Sequence, residues 1–222
     1  MSRSHKMEEY LEAIYILNSE GETVLPSKIA DYLNVSRPTV TQTMQRMTAA
    51  GFVKSSNNKE IQLTENGLTQ AESMVRKHRV LERWLNDELG LDWADAHVEA
   101  ARLESSVSPL VLEQLYVRLG KPNTCPHGNV IPGSGYQQPK CIPLSDVERE
   151  KAVKVIRIVE LAEEDLDLLR FFHRSGLVPG GIVTILAAQN PYETDISVSV
   201  GDKTVSLNQE VAARILVTDA GL

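Results

Sequence analysis

The chain has 222 residues, 42% hydrophobic and 24% charged, which is room for one large or two to three small globular domains with a buried core. Two cysteines exclude a disulfide framework, and no apolar run approaches the roughly 18 residues that span a bilayer. Met1–Lys6 leads into an acidic amphipathic segment rather than a signal-peptide core, so a cytoplasmic protein is expected, and at a formal net charge of −7 any attraction for a polyanion must be local.

Met7 to Asn18 is predicted as the first helix. Tyr10, Leu11, Ile14, Tyr15 and Leu17 form its apolar face, Glu8, Glu9 and Glu12 are polar, and Gly21 ends it. Pro26 to Met47 reads as two short helices joined by a tight turn. Ser27 is the expected N-cap of the first, which buries Ile29, Ala30 and Leu33. Asn34 and Val35 make the turn, Ser36 caps the second helix, and Pro38 falls in its first turn, where a missing N–H costs nothing. Val40, Met44 and Met47 form the inner stripe. The outer face, Arg37, Thr39, Thr41, Gln42, Gln45 and Arg46, carries hydrogen-bonding and cationic groups but no carboxylate. Such a face suits a phosphate-lined major groove, and the pattern is that of a helix-turn-helix. An ordinary helical hairpin shares the amphipathic spacing, but the next segment of the chain favours DNA.

Phe52–Ser55 and Ile61–Leu63 read as strands, with Ser56-Asn57-Asn58-Lys59 turning the chain between them. A hairpin directly after a recognition helix makes a wing. Leu25 to Thr64 holds five cationic residues, Lys28, Arg37, Arg46, Lys54 and Lys59, against the acidic Asp31 and Glu60, a basic island in an acidic chain. The candidate DNA-binding set is therefore Lys28, Ser36, Arg37, Pro38, Thr39, Thr41, Gln42, Gln45, Arg46, Lys54 and Lys59.

Thr64 caps a long helix from about Glu65 to Leu89, closed by Gly90. Asp92 or Asp95 starts another that runs to about Val107, and Ser108-Pro109 starts a third that ends at Gly120. Leu103, Val107, Leu112, Leu115 and Leu119 form an apolar stripe with no partner in a small winged domain, and a dimer interface is expected there, packing on the long helix alone being the other option. Lys121 to Ser145 is rich in Pro and Gly and reads as a linker or an ordered irregular loop. Ala152 to Leu161 is strand-like. A short helix with Leu168, Leu169, Phe171 and Phe172 follows, then three strand-like runs around turns at Pro179-Gly180-Gly181, Asn190-Pro191 and Gly201-Asp202, which together predict a small barrel.

Three segments carry groups able to bind a metal. His78 and Glu82 are four apart on the long helix and share a face; His97, Ala101 and Glu104 share a face of the next; Cys125-Pro126-His127 follows the helical hairpin. Imidazole, carboxylate and thiolate converging from three segments suit a first-row divalent ion, although each signal alone also fits a solvated helix face. No H-E-x-x-H, nucleophile elbow or phosphate loop occurs, so an enzyme is not expected.

In combination, MEEYLEAIYIL (Met7–Leu17), the helix-turn-helix with its SRPTVTQTM, LTENG (Leu63–Gly67), RKHRVLERWL (Arg76–Leu85), CPHGNVIPG (Cys125–Gly133) and LLRFFHRSGLVPGGIVTI (Leu168–Ile185) resemble the metal-dependent repressors of the diphtheria-toxin-repressor and manganese-transport-regulator type. The resemblance spans nearly the whole chain. It implies an α+β protein of three parts: a winged helix-turn-helix DNA-binding domain (1–72), a helical dimerisation and metal-binding domain with its Pro/Gly-rich loop (73–145) and an SH3-like, FeoA-type barrel (146–222). It further implies a homodimer that binds Fe²⁺ or Mn²⁺ and then represses metal-uptake genes at a palindromic DNA operator, with no membrane partner.

By the same resemblance, His78, Glu82 and His97 match the family's ancillary ligands. Cys125 and His127 match a manganese-responsive branch, Asp165 lies near the barrel's ligand, Glu9 and Glu12 match first-helix carboxylates, and Glu104 matches a primary-site glutamate. Ala101 and Ser105 depart from the pattern, since a methyl cannot coordinate and a serine hydroxyl is a poor ligand. The expected principal site is thus His78, Glu82, His97, Cys125 and His127, with Asp165 as a further ligand, and Zn²⁺ or Co²⁺ binding tightest in vitro. A metal-handling or protein-interaction module, with the winged helix and barrel docking on protein instead of DNA, is the alternative.

Overall fold

The computed structural model describes residues 7–220 except Asn57, Gln189, Pro191 and Glu193, so Met1–Lys6, the wing residue Asn57 and the expected turn residue Pro191 lie outside it. The chain forms two compact units, Met1–Lys77 and His78–Leu222.

The first unit contains α1 (Met7–Ser19), α2 (Pro26–Tyr32), α3 (Arg37–Ala49), β1 (Val53–Ser55), β2 (Ile61–Leu63) and the start of α4 (Glu65–Asp87). α1 buries Tyr10, Leu11, Ala13, Ile14, Ile16 and Leu17, a wider stripe than predicted. α2 begins earlier than the Ser27 cap would place it. Leu25 is the N-cap, without a side-chain hydrogen bond, because Pro26 takes the first helical position with its fixed φ and absent donor. Asn34 makes the turn at φ 50°, a conformation Asn tolerates better than most residues. Ser36 caps α3 as expected: its Oγ accepts from the Thr39 amide at 3.3 Å. Val40, Met44 and Met47 are buried, and β1 pairs antiparallel with β2 through Val53 and Leu63. Gly67 explains part of the LTENG run. A Cβ there would lie 2.0 Å from the Phe52 carbonyl oxygen, so only glycine lets α4 pass the wing this closely.

The second unit joins helices and barrel around shared cores. α5 (Trp93–Leu103) and α6 (Pro109–Arg118) follow α4, then come β3 (Ile142–Pro143), β4 (Ala152–Ile158), α7 (Leu166–Ser175), β5 (Ile182–Ile185), β6 (Ile196–Val200), β7 (Lys203–Leu207), α8 (Gln209–Ala212) and β8 (Ile215–Asp219). The antiparallel sheet has the order β3-β8-β4-β5-β6-β7. Its core includes Val155, Ile158, Leu169, Phe172, Val198 and Val217, and Trp93 and Ala94 of α5 belong to the same cluster.

Three expectations change. α5 stops at Leu103 with Glu104 as its cap, four residues short of the predicted end. The predicted strand to Leu161 ends at Ile158, and Glu160–Ala162 form a turn of 3₁₀ helix. The apolar stripe is not left bare. Leu103, Val107 and Leu115 pack against Leu81 and Leu85, and Leu112, Leu115 and Leu119 pack against Val80, Tyr116 and Ile131. The exposed apolar side chains of α6 are instead Leu110, Val111 and Val117.

Candidate metal centre and nucleic-acid face

The sequence places His78 and Glu82 one helical turn apart on α4, and His97 comes from the facing α5. His78 Nε2 lies 3.1 Å from Glu82 Oε1 and 3.2 Å from His97 Nδ1, while His97 Nδ1 lies 2.9 Å from Glu82 Oε1. Donors on one first-row ion stand roughly 3 Å apart when its bonds are about 2.1 Å long, so this triangle has the spacing of adjacent ligands. Glu82 is fully buried, and its Oε2 has no hydrogen-bond partner among the described residues. A buried carboxylate oxygen without a partner is costly unless a cation meets it, which is the observation that fits a metal here.

Cys125 and His127 approach Glu82 from the loop, all three buried, with donor atoms within 4.8 Å of one another. The segment expected as a linker or an ordered irregular loop is the latter, held by backbone hydrogen bonds. The Cys125 amide donates to the Asn129 carbonyl at 2.9 Å, and the Gly128 amide to the Cys125 carbonyl at 3.0 Å. The Ile158 amide donates to the His127 carbonyl at 2.9 Å, which fixes the loop on the barrel. Gly128 has φ 92°, and a Cβ would lie 2.3 Å from the Ile156 carbonyl oxygen, so this approach also requires glycine. Arg79 closes the arrangement from α4. It donates to the Val130 carbonyl and, at 2.5 Å, to Glu160 Oε2. Trp93 covers His127 edge-on with ring centroids 4.9 Å apart.

The barrel's contribution differs from expectation. Asp165 is exposed and caps α7, its Oδ1 accepting from the Leu168 amide at 3.1 Å. Glu163 is the carboxylate that reaches the cluster, with Oε1 3.0 Å from His127 Nδ1 and Oε2 3.7 Å from His97 Nδ1. Asn129 donates to the same Oε1 at 2.7 Å. The 3₁₀ turn explains the choice: at three residues per turn, Glu160 and Glu163 fall on one side, both buried, while Glu164 and Asp165 turn outward. Glu104 also joins the cluster, through His78, whose Nδ1 lies 3.2 Å from Glu104 Oε2. Ala101 and Ser105 are exposed. Glu9 and Glu12 sit half-buried on α1 of the first unit.

The electrostatics are those of opposite charges held in a dry place. Burial opposes ionisation of Glu82, but the adjacent His78 and His127 hold its carboxyl well below the ordinary range. Burial opposes protonation of His127, yet Glu163 and Glu82 raise it well above 6.5. His97 is raised in the same way by Glu82, and burial together with Glu82 pushes the Cys125 thiol up from 9.0.

In the first unit Arg37, Pro38, Thr39, Thr41, Gln42, Gln45 and Arg46 are all exposed on α3, as are Lys54 and Lys59 on the wing. Ser36 is engaged in the cap and with Thr39 Oγ1 at 2.7 Å, and Lys28 pairs with Glu22, so these two offer less to a ligand than the sequence implied.

A winged helix with an exposed carboxylate-free recognition face, a helical unit with a buried His, Glu and Cys cluster, and a small barrel together define a metal-sensing DNA-binding regulator. Family models agree segment by segment: the iron-dependent repressor N-terminal DNA-binding domain matches residues 3–61, the iron-dependent repressor metal-binding and dimerisation domain 64–133, and the FeoA domain 142–219. The chain belongs to the iron-dependent repressor family, of diphtheria-toxin-repressor and manganese-regulator type. It is 34% identical over 221 residues to the iron-dependent repressor IdeR of Mycobacterium leprae, covering 95% of each chain. A solved manganese-dependent transcriptional repressor in complex with manganese is similar at a TM-score of 0.81 and 29% identity, over 96% of this chain and 100% of that one. ScaR with bound Cd²⁺ is similar at a TM-score of 0.79 and 28% identity, over 97% and 100%.

Proposed function

We propose that this metal-dependent transcriptional repressor senses intracellular Fe²⁺ or Mn²⁺ through His78, Glu82, His97, Cys125, His127 and Glu163, and controls genes of iron or manganese homeostasis from the cytoplasm. The observation that carries the reading is the buried Glu82 carboxylate, whose Oε1 stands 3.1 and 2.9 Å from His78 and His97 with Cys125 and His127 close by, and whose Oε2 has no hydrogen-bond partner among the described residues. A dication supplies the positive charge this donor set lacks. Glu82 and Glu163 hold it electrostatically, His78, His97 and His127 supply nitrogen donors, and Arg79 keeps the Cys125 loop against α4.

Regulation follows as a population shift. Drawing α4, α5, the loop and the barrel turn together favours one spacing of the two DNA-reading units in the homodimer, and operator half-sites lie about 34 Å apart, so only a matched spacing binds well. A gel-shift series on a palindromic operator with Fe²⁺, Mn²⁺, Zn²⁺, Co²⁺ or chelator tests this. Metal-stimulated binding is expected, and equal affinity in every lane would overturn it.

A further inference from the structure

β7 is an edge of the barrel sheet, with β6 on one side and, among the described residues, no strand on the other. The direction of its backbone groups follows from its neighbours. The Leu186 amide donates to the Ser197 carbonyl at 2.8 Å, so Ser197 turns its backbone groups toward β5, and Ser199, two residues on, does the same. Ser197 pairs with Ser206 and Ser199 with Thr204, so Thr204 and Ser206 turn their own groups away from β6. Val200 and Lys203, which flank the turn Gly201-Asp202, are then a bonded pair, as a tight hairpin requires. The open edge thus presents the N–H and C=O of Thr204 and Ser206, the groups by which one strand recruits another. Native edges are commonly blunted by Pro, by a bulge, by charge or by a covering element. β7 has neither Pro nor bulge, and its one charged side chain is Lys203 at its start. Beside it, a groove of about 780 Å³ runs along α7.

The walls of the groove say what fits. Phe171 of α7, 39% exposed, is its apolar wall. Arg170, Arg174 and Lys203 line it against a single carboxylate, Asp167, in a chain of net charge −7. Arg170 is engaged by Asp92, Asp95 and Asp167. Arg174 is 74% exposed and reaches Asp92 only at 3.9 Å, and Lys203 has no ion pair among the described residues. The chain's own Pro- and Gly-rich loop is not the occupant: it lies against β4, where the Ile158 amide donates to the His127 carbonyl, and none of its residues lines the groove. We infer that the groove between α7 and β7 docks an extended acidic segment of a partner protein, which adds to the barrel sheet as a strand beside β7. Its backbone meets Thr204 and Ser206. Every second side chain faces α7, whose Leu169 and Phe172 share the core with Val205 and Leu207. These side chains combine an apolar residue for Phe171 with acids for Arg174 and Lys203. None of the residues that carry the argument belongs to α3, the wing or the metal cluster, so this surface is additional to the DNA and metal sites.

The probe is a fluorescein-labelled synthetic peptide with Glu, Val and Glu at every second position and Thr between, titrated against the full chain by anisotropy. It should bind, and the Thr204 and Ser206 amides should gain protection from hydrogen exchange. The same peptide with Lys in place of Glu should not bind. Methylating the peptide's amides at odd or at even positions should abolish binding in one case and spare it in the other, because a strand turns alternate amides toward its neighbour. Arg174→Glu combined with Lys203→Glu should weaken binding about tenfold, the order expected for reversing two exposed charge pairs. Thr204→Pro removes only an outward N–H, which an edge strand tolerates, and should abolish peptide binding while metal-dependent operator binding stays as in the parent chain. Absence of binding, equal binding of the Glu and Lys peptides, or full binding of both methylated peptides would overturn the inference. So would pairing of β7 with β7 of a second copy, seen as a concentration-dependent rise in mass that Thr204→Pro removes.

Discussion

His78 Nδ1 faces Glu104 Oε2 at 3.2 Å, while Nε2 of the same ring faces Glu82 and His97. A carboxylate behind a ligating imidazole fixes its tautomer, orients the ring and strengthens it as a donor. In the proposed site Glu104 would support His78 in this way, and the exposed Ala101 and Ser105 beside it offer neither thiolate nor imidazole. Glu104→Gln should lower metal affinity about tenfold, within the roughly 10–100-fold range for such partners. A competition titration against a chromogenic chelator measures this. Unchanged affinity would show that the His78 ring needs no such support.

The pH dependence follows from the direction of each shift. In the metal-free protein His97 and His127 are raised, so they contribute stability that is present below their ordinary 6.5 and lost as pH rises through their raised values. Glu82 is depressed, so its contribution is present above its ordinary 4.5 and is lost only as pH falls toward the depressed value. A bound ion requires neutral imidazoles and thiolate and must displace those protons, so affinity rises with pH. The melting-temperature difference between metal-loaded and metal-free protein should therefore widen from about pH 6 to about pH 9. Calorimetry in buffers of different ionisation enthalpy should show proton release, and buffer-independent heats would contradict it.

The contrast between helix and turn explains what sequence reading could reach. Amphipathic period and caps place α1, α3, α4 and the donors His78, Glu82 and His97, because helical spacing converts residue number directly into a face. Cys125 and His127 stand out by residue type and by the Pro between them. Glu163 does not. It sits in a run of three acids, and only the 3₁₀ turn at Glu160–Ala162 decides which of them points inward. That turn replaces the end of a strand predicted to reach Leu161, so a misread period carries over into which acid is expected to face the cluster. The fate of Leu103, Val107 and Leu115 was equally out of reach, since an apolar stripe does not announce which surface covers it.

On the DNA side, base-reading and phosphate-binding residues should separate. Gln42 and Arg46 lie on the exposed face of α3, so alanine at either should weaken operator binding by about 1–3 kcal/mol for each base that the side chain reads. Lys54 and Lys59 lie on the exposed wing, and alanine there should weaken binding to any sequence and lower the salt slope by about 1 for each phosphate that the lysine meets. Lys28, already paired with Glu22, should matter less. Fluorescence anisotropy across a salt series resolves the two classes, and a wing variant with an unchanged slope would place those lysines away from the backbone.

Glu163 and Asp165 give the sharpest test of which barrel acid serves the proposed metal site. Glu163 is buried with both oxygens toward imidazoles of the cluster, while Asp165 is exposed with its carboxylate committed to the α7 N-terminus. Glu163→Gln keeps the shape and the acceptor for Asn129 but removes the charge, so metal affinity should fall at least about tenfold. Asp165→Ala loses only a cap, about 1 kcal/mol, or a shift of roughly 2–4 °C in melting temperature for a unit of this size. Its metal affinity and its Co²⁺ thiolate band should stay as in the parent chain. If Asp165→Ala abolishes the band or the metal-dependent operator binding while Glu163→Gln leaves both intact, Asp165 reaches the ion in the loaded protein and the barrel turn must rearrange on binding.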